Sequence, residues 1–150
     1  MECGFQNFAP EQKIAFNIAT SELWLRALEN DAEAQNSFAV ALLAGTDIDR
    51  NSSAAYYWFK TACNHGCLSA LSNLAYMYVQ GIHVERNYTI ARFLLEEAVS
   101  RGCPSAENNL GLMMGFGLTE EADLTLARVS FAIAAAKGLE AARKNLAMVA

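Results

Sequence analysis

The sequence lacks the features that mark membrane, secreted and disordered proteins. No stretch approaches the ~20 consecutive apolar residues of a membrane span, and the N-terminal Met-Glu-Cys-Gly-Phe has neither the basic residues nor the apolar run of a secretory signal. With two prolines and nine glycines in 150 residues, the composition also differs from that of disordered or collagen-like chains. We therefore expect a folded cytoplasmic protein with no membrane partner.

Basic charge is also never concentrated along the chain. The eleven lysines and arginines are scattered without a run, so the basic stripe that a phosphate backbone requires is missing, and nucleic acid is not an expected partner. The net charge of −5 instead favours a basic protein partner, through encounter rate and orientation more than through affinity.

What the sequence does contain is an internal repeat with a period of 36 residues. Small residues recur in register at Ala34, Ala70, Ala106 and Ala142, and large apolar residues recur at Phe38, Leu74, Leu110 and Leu146. Glycines recur at Gly45, Gly81 and Gly117, and again at Gly66, Gly102 and Gly138. So many columns at one period define a repeated structural unit.

Each unit has the pattern of two helices. In the second unit, the first helix (helix A) places Ala70, Leu74 and Tyr78 on one face, and Gly81 follows where a left-handed C-cap needs glycine. The second helix (helix B) starts at an N-cap residue in each unit, at Asn51, Asn87 and Asp123. Because a single αα-hairpin must stack on its neighbours to complete a core, the predicted fold is an all-α, αα-hairpin solenoid of eight helices without a sheet.

The ends of the chain continue the repeat. Shifting the helix B pattern back by 36 residues places Ala19, Leu23 and Ala27 in its columns, which predicts a leading helix from about Pro10 to Glu29. The predicted organisation is an N-terminal segment and leading helix at 1–30, repeats at about 31–66, 67–102 and 103–138, and a closing helix A at 139–150. Within residues 1–9, Phe5 and Phe8 either tuck against the first helix or stay mobile.

These columns resemble the Sel-1-like repeats, relatives of tetratricopeptide repeats whose units read A-x-x-x-L-G-x-x-Y-x-x-G and then D-x-x-x-A-x-x-W-Y-x-x-A-A-x-x-G. The second unit matches the first half between Ala70 and Gly81, and the first unit matches the second half between Asn51 and Gly66. The third unit departs from the pattern at three places, which are Met114 for the tyrosine, Ser130 for the tryptophan, and Thr119-Glu120-Glu121-Ala122 in the connecting loop.

The resemblance implies a right-handed superhelix in which helix A lines a concave surface and helix B a convex one. It also implies a non-catalytic protein–protein interaction scaffold, because the family consists mainly of adaptors and scaffolds in signalling, host interaction and interbacterial competition. Two specific roles stay open, an immunity protein that neutralises a toxin and a signalling or assembly adaptor. A toxin gene directly upstream would favour the first.

The candidate binding site is the part of helix A that should point into the concavity. It combines an apolar centre with polar surroundings, which is typical of protein-binding patches. Its members are Asn36, Val40, Leu43, Ser72, Tyr76, Val79, Gln80, Asn108, Leu112, Phe116, Lys144 and Met148. The alternative is that a tight superhelix buries these side chains between successive A helices.

Three asparagines form another column just before the core leucine, at Asn73, Asn109 and Asn145. They could clamp a bound peptide or form side-chain hydrogen bonds between repeats, and we expect the second role.

The rival functional hypothesis is a small metal- or thiol-dependent enzyme that uses Cys63, His65 and Cys67. The two cysteines are four residues apart, but the helix should end at Gly66, and the second ligand pair of a structural zinc site is absent. We expect no metal, no cofactor and no catalysis. In a reducing compartment all four cysteines should be free thiols.

Overall fold

A computed structural model of the protein describes residues 18–149 and contains eight α-helices within them. The helices are α1 (Ile18–Leu28), α2 (Ala32–Ala44), α3 (Ser52–Asn64), α4 (Leu68–Gln80), α5 (Tyr88–Ser100), α6 (Pro104–Gly115), α7 (Leu124–Ala136) and α8 (Glu140–Met148). No strand occurs in this part of the chain, so the predicted all-α architecture is confirmed. Pro10, Phe5 and Phe8 lie outside the described residues.

The helices stack in chain order. Each helix packs on the next one, and α4 also packs directly against α6. Helices α2, α4, α6 and α8 are the A helices of the repeat, and α1, α3, α5 and α7 are the B helices. This is the arrangement of an αα-hairpin solenoid, in which each hairpin contacts mainly its neighbours.

The B helices begin where the sequence predicts. The side chains of Asn51, Asn87 and Asp123 accept hydrogen bonds from backbone N–H groups three residues further on, each at 2.9 Å. The backbone N–H groups of the same three residues donate to carbonyls near the end of the preceding A helix, at 2.9 to 3.0 Å. Each cap therefore starts helix B and also fixes it to helix A of its own repeat.

The third repeat ends its A helix differently. Helices α2 and α4 run up to the left-handed Gly45 and Gly81, whereas α6 ends at Gly115, two residues before the left-handed Gly117. A Cβ on Gly117 would lie only 2.9 Å from backbone atoms of Glu120 and Ala122, so the connecting loop closes on this glycine. The loop that departs from the family pattern thus needs glycine at its start.

The core combines large and small residues from both helix types. Phe38, Phe59, Met77 and Leu95 are fully buried, and alanines fill the columns where the helices cross. Helices α6 and α7 approach closely at Gly111, where an added Cβ would lie 2.8 Å from the Phe131 ring. The small-residue column therefore sets how closely helices A and B approach.

Candidate protein-binding grooves on the A helices

The predicted apolar centre lies largely at the surface of the A helices. Tyr76 is 48% exposed and Phe116 is 72% exposed, and Val40 and Met148 are exposed as well. Three more members, Leu43, Val79 and Leu112, are half-buried. The alternative in which successive A helices bury the whole stripe therefore does not describe this structure.

The predicted polar surroundings lie only partly at the surface. Gln80 and Lys144 are exposed and Asn36 is half-buried. Ser72 and Asn108 are only 3% and 6% exposed, so their assignment to an accessible rim is corrected. They fall at positions where adjacent A helices meet, and sequence spacing alone does not show how closely those helices approach.

Tyr76, Val79 and Gln80 of α4 line a cavity of about 450 Å³ together with Leu112 of α6 and Phe116, the residue that follows α6. We term this cavity groove 1. Its remaining lining residues are Ala75, Arg86, Tyr88, Leu95, Asn109, Met113 and Leu118. Five of the twelve predicted site residues thus meet in one apolar cleft between neighbouring A helices.

A smaller cavity of about 200 Å³ follows one repeat later, and we term it groove 2. Leu112 and Phe116 line both cavities, so α6 forms the ridge between them. The other residues that line groove 2 are Gly115, Leu124, Ala127, Phe131, Asn145, Met148 and Val149. The two grooves form a continuous apolar surface along α4, α6 and α8.

The asparagine column bridges repeats at two of its three positions. The side-chain amide of Asn73 donates to the Asn36 side chain at 2.8 Å, and that of Asn145 donates to the Asn108 side chain at 2.8 Å. The expected role in bonding between repeats is confirmed for these two. At the middle position, Ser72 occupies the column that Asn36 and Asn108 occupy in the two bonded pairs, and no bond joins Ser72 to Asn109.

This substitution changes the surroundings of Asn109. The Ser72 hydroxyl is instead 3.2 Å from the Ser105 hydroxyl, and Asn109 is linked only to its neighbour Asn108, at 3.4 Å. The Asn109 side chain lines groove 1, and its amide nitrogen donates to none of the described residues. A donor is therefore available in the wall of the larger groove.

Among the described residues that line the two grooves, Arg86 is the only charged one. It is exposed and makes no ion pair with the residues that the structure describes. Arg86 was missed in the sequence because it lies in the loop between α4 and α5 rather than on helix A. A signal was present, since Arg50 occupies the same column in the first repeat, whereas the third repeat has Ala122.

The B helices carry a second exposed apolar column that the sequence analysis also missed. Tyr57, Phe93 and Val129 recur at the 36-residue period and are all exposed, Phe93 to 66%. These side chains are separated across three helices, and none of them lines groove 1 or groove 2. Phe93 therefore offers a matched control for exposed aromatic residues of the A helices.

The cysteine cluster has the properties of a packing site. Burial raises the pKa of the Cys63 thiol to about 12 and that of the Cys67 thiol to about 11, so both are protonated near neutral pH. His65 Nδ1 lies 2.8 Å from the side-chain oxygen of the buried Gln35. Among the described residues, no three His, Cys, Asp or Glu side chains gather in a possible metal site, and the enzyme hypothesis gains no support here.

Within residues 18–149 no helix is long and apolar enough to cross a membrane. The three cysteines in this range, Cys63, Cys67 and Cys103, are free.

Comparison with known families gives one clear result. The family model described as "Sel1 repeat" matches residues 32–67, 68–103 and 104–139. Each matched segment is 36 residues long, which is the period of the repeat in the sequence. No curated protein matches the chain.

Several solved structures are similar to this one, and two of them are Sel1-type repeat proteins. A Sel1 repeat protein from Oxalobacter formigenes is 30% identical with a TM-score of 0.65, over 85% of this chain and 96% of the other. The protein c5321, a protective antigen of uropathogenic Escherichia coli with an SLR fold, is 26% identical with a TM-score of 0.72. That match covers 86% of this chain but only 28% of the antigen, so this chain corresponds to about a quarter of that larger protein.

Proposed function

The chain belongs to the Sel1 repeat family, and from that premise we propose that it is a non-catalytic scaffold that binds a partner protein along grooves 1 and 2. The observation that carries this proposal is the exposure of a continuous apolar surface on α4, α6 and α8. Exposed apolar clefts with polar residues at their rim mark protein-interaction or ligand-binding sites. Sel1 repeats in general mediate protein–protein interaction, which supports the same role.

The composition of the surface supports a protein partner over a small-molecule ligand. The grooves are open clefts that follow one another along the solenoid, and aromatic side chains stand at their edges at Tyr76 and Phe116. Protein interfaces are enriched in aromatic residues and depleted of carboxylates at their centre. Within residues 18–149, no aspartate or glutamate lines either groove.

Within this class, two roles fit an acidic scaffold of this size, a toxin-neutralising immunity protein and an adaptor in a signalling or assembly complex. The free Cys63, Cys67 and Cys103 are consistent with action in the reducing cytoplasm. The genes next to this one distinguish the two roles, because an immunity protein is expected beside its toxin.

Site-specific photo-crosslinking tests the proposed face. A photoreactive phenylalanine analogue replaces Tyr76 or Phe116 on the A helices, and Phe93 on α5 serves as the control. After irradiation in native lysate, we expect one specific crosslinked protein from the two A-helix positions and none from position 93. Crosslinking from position 93 alone would show that the partner binds the B helices, and it would contradict the proposal.

A further inference from the structure

We propose that the grooves recognise an extended, acidic-apolar segment of the partner, whose carboxylate pairs with Arg86 while two apolar side chains three residues apart fill grooves 1 and 2. This inference rests on the proposed function, because it specifies the occupant of the same face. The net charge of −5 favours a basic partner overall. At the grooves, by contrast, we expect an acidic segment.

The charge of Arg86 indicates that the bound segment contains an acidic residue. The only formal charge among the lining residues of both grooves is the positive charge of Arg86. Arg26, Arg92, Arg101 and Arg143 pair with carboxylates, whereas Arg86, like Arg50 and Arg128, pairs with no carboxylate of the described residues. A guanidinium group beside an apolar cleft and without a partner of its own matches a carboxylate in planar, two-bond geometry.

The repeat column of Arg86 explains why the acidic residue of the segment should lie at groove 1 and not at groove 2. Groove 2 follows groove 1 by one repeat, and there the third repeat has Ala122 in place of Arg86. No charged residue lines groove 2. Because Arg86 lines groove 1 and groove 2 has no such charge, the acidic residue of the bound segment should lie at groove 1.

The distance between the grooves sets the spacing of the apolar side chains. Packed helices lie roughly 8 to 10 Å apart, so grooves on either side of α6 are separated by about that distance. A polyproline II segment rises about 3.1 Å per residue and repeats every three residues, which places side chains i and i+3 on one side at about 9 Å. In an α-helix, neighbouring side chains on one face lie about 5 to 6 Å apart, and in a β-strand side chains i and i+2 lie about 6.6 Å apart, so both spacings are shorter.

Asn109 provides a hydrogen-bond donor for the backbone of such a segment. Its amide lines groove 1 and lacks the bond between repeats that Asn73 and Asn145 make. Polyproline II backbone has no internal hydrogen bonds, so its carbonyl groups are free to accept one. A segment seated between Arg86 and Leu112 passes along the wall that presents this amide.

The test uses a defined probe, a random twelve-residue peptide library displayed on phage and selected on the full chain. We expect enriched peptides with two large apolar residues three apart and an aspartate or glutamate beside one of them. The best peptide is then synthesised with a fluorescent label and titrated at two salt concentrations against the wild type, Arg86→Gln, Arg86→Lys and Arg50→Gln. Arg50 is the matched control because it occupies the same repeat column but lines neither groove.

We expect Arg86→Gln to weaken the peptide about tenfold and to remove most of its salt dependence, as for loss of a charge-assisted hydrogen bond. Arg86→Lys should restore part of the affinity and Arg50→Gln should change nothing. Changing the peptide's acid to its amide should weaken binding to the wild type but not to Arg86→Gln.

Different failures of this experiment have different meanings. Peptides enriched in basic residues, or equal effects of Arg86→Gln and Arg50→Gln, overturn the acidic-segment inference while leaving the proposed face intact if Tyr76→Ala still abolishes binding. Peptides that bind Tyr76→Ala as well as the wild type overturn the proposed function itself. A library that yields no specific peptide overturns the acidic-segment inference.

Discussion

The side-chain amide of Asn73 donates a 2.8 Å hydrogen bond to the side-chain oxygen of Asn36, 37 residues earlier, and so links helix A of the second repeat to helix A of the first. Asn145 and Asn108 repeat this bond at the end of the array. Between them, Ser72 interrupts the series, and the interruption coincides with the larger groove. One column of the repeat thus connects helices at its two ends and faces a cavity at its middle.

Asn73→Ala should lower the free energy of unfolding by about 1 kcal/mol, because it leaves the partly buried Asn36 oxygen without its donor. Asn109→Ala is the matched control and should cost less than about half of that, since Asn109 makes no bond between repeats. Chemical denaturation measures both variants, and the Asn36→Ala/Asn73→Ala double variant gives the coupling between the two residues. Equal losses for Asn73→Ala and Asn109→Ala would contradict the structural role assigned to this bond.

Gly111→Ala should destabilise the protein, although alanine is the better helix former. The new methyl group would lie 2.8 Å from the buried Phe131 ring and 3.1 Å from Ser130, and such overpacking costs about 1 to 3 kcal/mol, against a gain of up to about 1 kcal/mol in helix propensity. Gly115→Ala, on the same helix, meets Ala127 at an ordinary 3.4 Å and should be neutral or slightly stabilising. Thermal melts of the two variants should therefore move in different directions, and a stabilised Gly111→Ala would show that α6 and α7 are less closely packed.

The partly buried Cys63 thiol predicts a loss of stability at alkaline pH. The thiol has a pKa of about 12 in the folded protein and near 9.0 when unperturbed, so above pH 9 the unfolded chain releases a proton that the folded chain retains. The stability contributed by the neutral thiol is complete below about pH 9 and is lost as the pH rises toward 12. Cys63→Val, which copies Val99 of the next repeat, removes this effect. Urea denaturation at pH 8 and pH 10.5 should show a smaller decline for the variant than for the wild type, and equal declines would contradict the assigned pKa.

Much of the fold could be predicted because the same local rules recur every 36 residues. The caps at Asn51, Asn87 and Asp123 are local features, each made by a side chain and a backbone group three residues away. Repetition turned these weak individual signals into a strong prediction of helix boundaries. The end of α6 differed because the loop after Gly117 has its own sequence and geometry, and α8 ends at Met148 instead of continuing through Val149.

The candidate site was less predictable because it depends on distances between helices. The exposure of Tyr76 could be predicted from its position on the face of helix A opposite the core. The burial of Ser72 and Asn108 depends on how closely adjacent A helices approach. Arg86 reaches groove 1 from a loop, where helical periodicity carries no information. The bonding of Asn109 differed from that of Asn73 because of Ser72, a residue in another column and another repeat.

The most direct measurement is the affinity of the crosslinked partner, once purified, for the wild type, Tyr76→Ala and Phe93→Ala. Both aromatic residues are exposed, on α4 and α5, so either truncation should change thermal stability little. An aromatic anchor at the centre of an interface contributes about 2 kcal/mol or more, which exceeds a tenfold change in affinity. If the partner binds on the A helices, its affinity should be at least tenfold weaker for Tyr76→Ala and unchanged for Phe93→Ala. An unchanged affinity for Tyr76→Ala together with a weaker affinity for Phe93→Ala would contradict binding on the A helices.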